Sequence, residues 1–97
     1  MERVAKLAAL KDKLCVSAKG LDLALFKIAG NIYCIDNTCP HAEGPLCEGE
    51  TDEFMVTCPF HGSQFDVRDG SVKSGPARQN VKSYKVAIQG DEIWVEL

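Results

Sequence analysis

Apolar and polar residues alternate in short stretches, each closed by glycine, asparagine or aspartate, the pattern of a small antiparallel β protein. Residues 23–29 and 32–36 flank Gly30-Asn31, a pair that tolerates positive φ and so suits a tight hairpin. Asp69-Gly70 marks a second hairpin between residues 65–67 and the segment from Ser71, and Gly90-Asp91 a third between residues 84–89 and 92–97. Residues 54–57 read as a strand running into Cys58. The stretch from Ala5 to Leu14 fits a helix, but Val4, Leu7 and Leu14 serve an extended chain equally well. Between the strands lie three proline-bearing loops, Cys39-Pro40-His41, Cys58-Pro59-Phe60-His61 and Ser74-Gly75-Pro76-Ala77.

Composition narrows this picture. With 97 residues, the chain has surface enough for one hydrophobic core unit and no sizeable second domain. Apolar residues make up 45% and charged residues 26%, so disorder and fibrous repeats are excluded. The longest apolar runs, 7–10 and 23–26, are far shorter than the ~18 residues of a membrane helix, and Met1 to Lys6 does not resemble a signal peptide. The expected location is cytoplasmic, away from membranes. The net charge of −3 is unevenly spread: residues 28–67 hold seven acids (Asp36, Glu43, Glu48, Glu50, Asp52, Glu53, Asp66) and no lysine or arginine. Nucleic acid, which calls for a clustered basic surface, is an unsuitable partner.

Five cysteines (Cys15, Cys34, Cys39, Cys47, Cys58) are an odd set and too few for a disulfide scaffold. In a reducing compartment such thiols bind metal or pack in a core. The only two histidines each sit within three residues of a cysteine, as C-x-H at Cys39 and His41 and C-x2-H at Cys58 and His61. Two thiolates and two imidazoles complete either a tetrahedral zinc site or a 2Fe-2S cluster with cysteines on one iron and histidines on the other. Zinc knuckles usually pair like ligands, whereas here each loop supplies one of each kind, as a dinuclear cluster clamped between two loops requires.

At these loops the chain resembles the Rieske family. The likeness runs on through Leu25-Phe26, Ile32-Tyr33-Cys34-Ile35 before Asn37, Cys39-Pro40-His41-Ala42-Glu43-Gly44-Pro45-Leu46, Cys58-Pro59-Phe60-His61-Gly62-Ser63 with Phe65-Asp66, Gly75-Pro76-Ala77 and Tyr84-Lys85-Val86. It implies an all-β Rieske fold: one domain over residues 1–97, an antiparallel sandwich or barrel formed by the two ends, and an inserted cluster-binding subdomain at about 37–77. It also implies one 2Fe-2S cluster held by Cys39, His41, Cys58 and His61, with the histidine-bound iron at the exposed end. With neutral imidazoles the oxidised cluster and its thiolates sum to zero charge, against minus two for four thiolates, which eases the uptake of an electron.

The respiratory branch of the family carries a disulfide between the positions of Gly44 and Phe60, and a tyrosine at the position of Phe65 that donates toward a ligand sulfur. Both features are missing here, while Ser63 keeps the place of a serine that can bond a bridging sulfide. A lost donor and an acidic surround put the expected potential toward the low end of the family's roughly −150 to +300 mV. Gly44, Gly62 and Gly75 suit close approach of backbone to the cluster, and the resemblance makes Pro76 part of a lid. Cys15, Cys34 and Cys47 read as core or turn residues, and Trp94 as packing.

The function so implied is that of a soluble ferredoxin, a one-electron carrier without catalysis of its own. It would take electrons from a flavin-dependent NAD(P)H reductase and pass them to a terminal oxygenase. With both histidines in the cluster, none is left for the two-histidine, one-carboxylate iron site of the oxygenase itself. The small Rieske-like subunit of an NADH-dependent nitrite reductase stays open as an alternative, as does a zinc-stabilised interaction module from a different class.

Overall fold

The computed structural model describes residues 1–40, 44–60 and 62–97. Among the described residues eleven strands are formed, β1 (Glu2–Lys6), β2 (Lys13–Ala18), β3 (Leu21–Ile28), β4 (Asn31–Asp36), β5 (Glu50–Asp52), β6 (Met55–Thr57), β7 (Gln64–Asp66), β8 (Val72–Ser74), β9 (Ser83–Tyr84), β10 (Val86–Gln89) and β11 (Glu92–Val95), with 3-10 turns at Leu7–Ala9 and Leu46–Glu48. No α-helix occurs among the described residues, in keeping with the all-β expectation. No helix among the described residues is long and apolar enough to cross a membrane. The strands make three antiparallel sheets, in the orders β1-β11-β10, β2-β3-β4-β9 and β5-β6-β7-β8.

The central sheet is covered on both faces, and β3 shows why its sequence is an unbroken apolar run. Leu23, Ala24, Leu25 and Phe26 are all fully buried. Leu23 and Leu25 point with Cys34, Ile93 and Val95 into the core shared with β1, β10 and β11, where Val4, Ala5 and Val86 complete the packing. Ala24 and Phe26 point the other way, with Ile35, into a second core with Leu46, Val56, Phe65 and Val67. Alternate side chains of one strand thus feed two cores, so no polar face remains to break the run. Burying a side chain such as Phe26 or Phe65 contributes about 1.5–3 kcal/mol.

Four features depart from the sequence reading or settle what it left open. The first hairpin turns on Ala29-Gly30, at φ 53° and 83°, one residue earlier than expected, and Asn31 pairs with Ile28. The stretch 5–14 is not a helix: β1 pairs with β11, the Leu7 N–H donates to Asp91 O at 2.6 Å, and β2 follows. A further hairpin joins β2 to β3 through Lys19-Gly20, both at positive φ. The stretch expected as one strand from Tyr84 is divided at Lys85, so that β9 pairs with β4 while β10 pairs with β11.

Candidate metal centre

Cys39 and Cys58 are free thiols, 0% and 1% exposed, and lie together in the second core with Leu46, Val56 and Phe65. Each begins a loop that closes in the same way. The Cys39 N–H donates to Gly44 O at 3.0 Å, and the Cys58 N–H donates to Ser63 O at 2.7 Å, both five residues on. Two loops of equal span therefore present two cysteines as their first residues. His41, Ala42, Glu43 and His61 lie outside the described residues, so of the four expected ligands only the cysteines are placed.

Gly44 joins the loops. Its carbonyl closes the first loop, and a Cβ at this position would lie 2.7 Å from Cys58 Sγ and 3.2 Å from Phe60 Cγ. Only a glycine lets the first loop's backbone come this near the second loop's sulfur. The positions matched to the respiratory disulfide, Gly44 and Phe60, are thus in contact, and no sulfur occupies either one.

The neck of the first loop is held by Asn37. Its carbonyl accepts the Leu46 N–H and its Oδ1 accepts the Cys47 N–H, each at 2.7 Å, while its own N–H donates to Asp22 O at 3.0 Å. A bridge between Thr38 and Pro45 adds a pair inside the neck. One residue earlier, Asp36 accepts from the Tyr84 hydroxyl at 2.5 Å and from the Lys82 N–H at 3.2 Å, which fixes the end of β4 against β9. Burial and the Asp36 carboxylate push the Tyr84 hydroxyl well above its ordinary range, and it stays protonated.

The second loop is tied to the third. Ser63 is fully buried, and its Oγ accepts the Ala77 N–H at 2.9 Å, which anchors the Gly75-Pro76 segment beside it. The Gly75–Pro76 peptide is cis, and Pro76 shares a cleft of about 440 Å³ with Pro40, Arg78 and Gln79. Having accepted from Ala77, the Ser63 hydroxyl still has a proton to donate. A second cleft, of about 410 Å³, is lined by Glu48, Glu50, Thr57, Cys58, Pro59 and Gly62.

These residues fit a 2Fe-2S cluster. Buried, free and soft donors stand at the mouths of matched loops, a glycine marks the place where a Cβ would crowd a sulfur, and a buried hydroxyl keeps a proton available. Cys34 belongs to the opposite core and takes no part: burial, then the nearby Asp36 charge, push its thiol up to about 12. Cys15 and Cys47 depart from the sequence reading. Cys47 is buried, as a core residue would be, but it is disulfide-bonded to the exposed Cys15, a pairing the residue pattern did not indicate. The odd cysteine count was the available signal, since two ligands leave three cysteines and room for one pair. Arg78 and Gln79, the other cleft residues beside Pro40, carried no sequence signal at all.

The family model for the Rieske [2Fe-2S] domain matches residues 2–85. The ferredoxin component of a naphthalene 1,2-dioxygenase system from Pseudomonas aeruginosa is 36% identical over 86 residues, 89% of this chain and 83% of that one. Among solved structures, the ferredoxin of carbazole 1,9a-dioxygenase from Nocardioides aromaticivorans superimposes with a TM-score of 0.91 at 33% identity, covering 97% of this chain and 94% of the other. A chain from a complex of reduced oxygenase and oxidised ferredoxin in carbazole 1,9a-dioxygenase matches with a TM-score of 0.89 at 27% identity, covering 97% and 90%.

Proposed function

The chain belongs to the Rieske [2Fe-2S] domain family, and on that premise we propose that it is a one-electron carrier, the ferredoxin component of a dioxygenase system. Its electron donor is a flavin-dependent NAD(P)H reductase and its acceptor a terminal oxygenase, in the cytoplasm. Cys39 and Cys58 bind one iron of the cluster, and His41 and His61 the other. The observation that carries the ligand assignment is the pair of matched loops, each opening on a buried free cysteine, with Gly44 set against Cys58 Sγ. When bound, the cluster supplies reversible one-electron chemistry.

The chain's own residues do the rest. Asn37 and the Ser63–Ala77 bond hold the loops in place, and buried apolar residues around Cys39 and Cys58 keep water from the thiolate side. Pro40, Pro59 and Phe60 form an exposed rim at the loops, Phe60 being 60% exposed, and give a partner an apolar contact. The sheet β5 to β8 and both ligand loops fall within residues 37–77, which supports a cluster-binding unit set into a single domain of 1–97. The relatives described above are dioxygenase-system ferredoxins, which favours this reading over the nitrite reductase small subunit. Membership of a 2Fe-2S family stands against the zinc module.

Metal and sulfide analysis of the purified chain, with optical and EPR spectra before and after dithionite, tests the proposal. Two irons and two labile sulfides per chain are expected, with a rhombic low-g signal on reduction. His41→Ala or His61→Ala abolishes this signal. Stoichiometric zinc, or a native signal in either histidine variant, would overturn it.

A further inference from the structure

Cys15 and Cys47, 32 positions apart, are joined across two elements that the ligand assignment does not use. Cys15 is exposed on β2, an edge strand of the central sheet, where it pairs with Ala24. Cys47 is 3% exposed, in the turn Leu46–Glu48 that follows the first ligand loop. Its N–H, with that of Leu46, is bound by Asn37, so the turn and the neck of the loop are one hydrogen-bonded unit. The disulfide fastens that unit to β2. Lys13, on the same strand, reaches Gly49 O at 2.5 Å and is the other side-chain link between β2 and this segment among the described residues.

We propose that Cys15–Cys47 is a thiol-exchange site, whose substrate is a small dithiol or the corresponding disulfide and whose state sets how firmly the first ligand loop is held. The two cysteines differ in exposure, Cys15 being exposed and Cys47 3% exposed, and this sets the order of events. An entering thiolate attacks Cys15 Sγ; the Cys15–Cys47 bond breaks, and its electron pair leaves on Cys47 Sγ, which takes up a proton. The second thiol of the dithiol then attacks the mixed disulfide and releases Cys15. Two electrons and two protons have passed to the protein, and the dithiol has become a disulfide. The reverse sequence, with a small disulfide as oxidant, restores the cross-link. Glu48 brings a carboxylate within 4.8 Å of both sulfurs, which favours a neutral dithiol over an anionic thiol.

The consequence for the loop rests on the ligand assignment given above; the exchange itself does not. With the cross-link open, the turn keeps Asn37, Lys13 and the buried Leu46 but loses its covalent tie to β2, and the neck that carries Cys39 opens more often.

The full cluster-loaded chain is equilibrated in mixtures of reduced and oxidised dithiothreitol, free thiols are trapped by alkylation, and peptides are mapped by mass. In parallel, bleaching of the cluster absorbance is followed under an iron chelator. Cys15 and Cys47 are expected to become alkylated together as one two-electron couple, and bleaching to be several-fold faster in the reduced chain. Cys15→Ser, a change at an exposed position, should start with full iron and sulfide and bleach at the fast rate in every mixture. Absence of a Cys15–Cys47 peptide under all conditions overturns the exchange site. Equal bleaching of Cys15→Ser and the oxidised chain overturns its control of the loop. A chain that binds no cluster yet shows the coupled alkylation would refute the carrier reading and leave the exchange site standing.

Discussion

The Ser63 hydroxyl accepts the Ala77 N–H at 2.9 Å where neither residue has more than 5% exposure. This bond holds the Gly75-Pro76 loop against the second ligand loop, so Ser63→Ala leaves a buried N–H without a partner. A loss of about 1–3 kcal/mol in denaturant unfolding is expected. The same variant removes a donor that the Rieske resemblance directs at a cluster sulfide, and its reduction potential should fall in voltammetry. Phe65→Tyr, which adds a hydroxyl within the core holding both cysteines, should raise it.

Gly44 offers a sharper steric test. A methyl group there would meet Cys58 Sγ at 2.7 Å, and the short side chain of a buried cysteine has little room to retreat. Gly44→Ala should lower the iron-to-protein ratio and cost about 1–3 kcal/mol through overpacking. Gly30→Ala is the control. It strains a turn at φ 83° but meets nothing within 4 Å, so it should lose stability without losing iron.

Charge around the loops predicts how partners are met. Glu48, Glu50, Asp52 and Glu53 are all exposed, and the first two line one cleft with Cys58 and Pro59. Electron transfer relies on brief, oriented encounters, which opposed charges accelerate without tight binding. Reduction by the reductase at limiting carrier should slow as salt shortens the Debye length from ~30 to ~8 Å. Reversing these four charges should slow association and leave the cluster spectrum unchanged. If stopped-flow rates ignore both salt and charge reversal, docking rests on Pro40, Pro59 and Phe60 instead.

Acid stability should depend on Asp66. Its carboxylate, 6% exposed, accepts from the Arg68 guanidinium at 2.7 Å and from the Arg68 N–H at 2.9 Å. These bonds hold its pKa below the ordinary 3.8. A depressed carboxylate pKa means that the stabilisation is complete above 3.8 and is lost as pH falls through the folded value. Asp66→Asn should therefore flatten the acid side of a plot of unfolding free energy against pH.

The first hairpin shows where local reading reaches its limit. By local chemistry Gly30-Asn31 is the better two-residue turn, since the observed one holds Ala29 at φ 53°. The observed register sets Leu25 against Cys34, Phe26 against Tyr33 and Leu23 against Asp36. Turning one residue later would shift the pairing by two and set Asp36 opposite Leu25, away from the Lys82 and Tyr84 groups that satisfy it. The choice is made by the distant strand β9. The segment 5–14 was undecided for the same reason: its partners, Asp91 and β11, lie at the other end of the chain.

By itself, the sequence determined the β class, the unbroken apolar strand at 23–26 and the mixed cysteine–histidine loops, because strand alternation and ligand chemistry are written in neighbouring residues. Tertiary structure alone decided what depends on residues far apart in the chain. The central sheet brings Cys15 to Cys47 across 32 positions, Gly44 meets Cys58 Sγ because two loops converge, and Ser63 finds Ala77 because the third loop folds back. Each of these contacts requires backbone from separate strands to be in place first, and no local pattern encodes that.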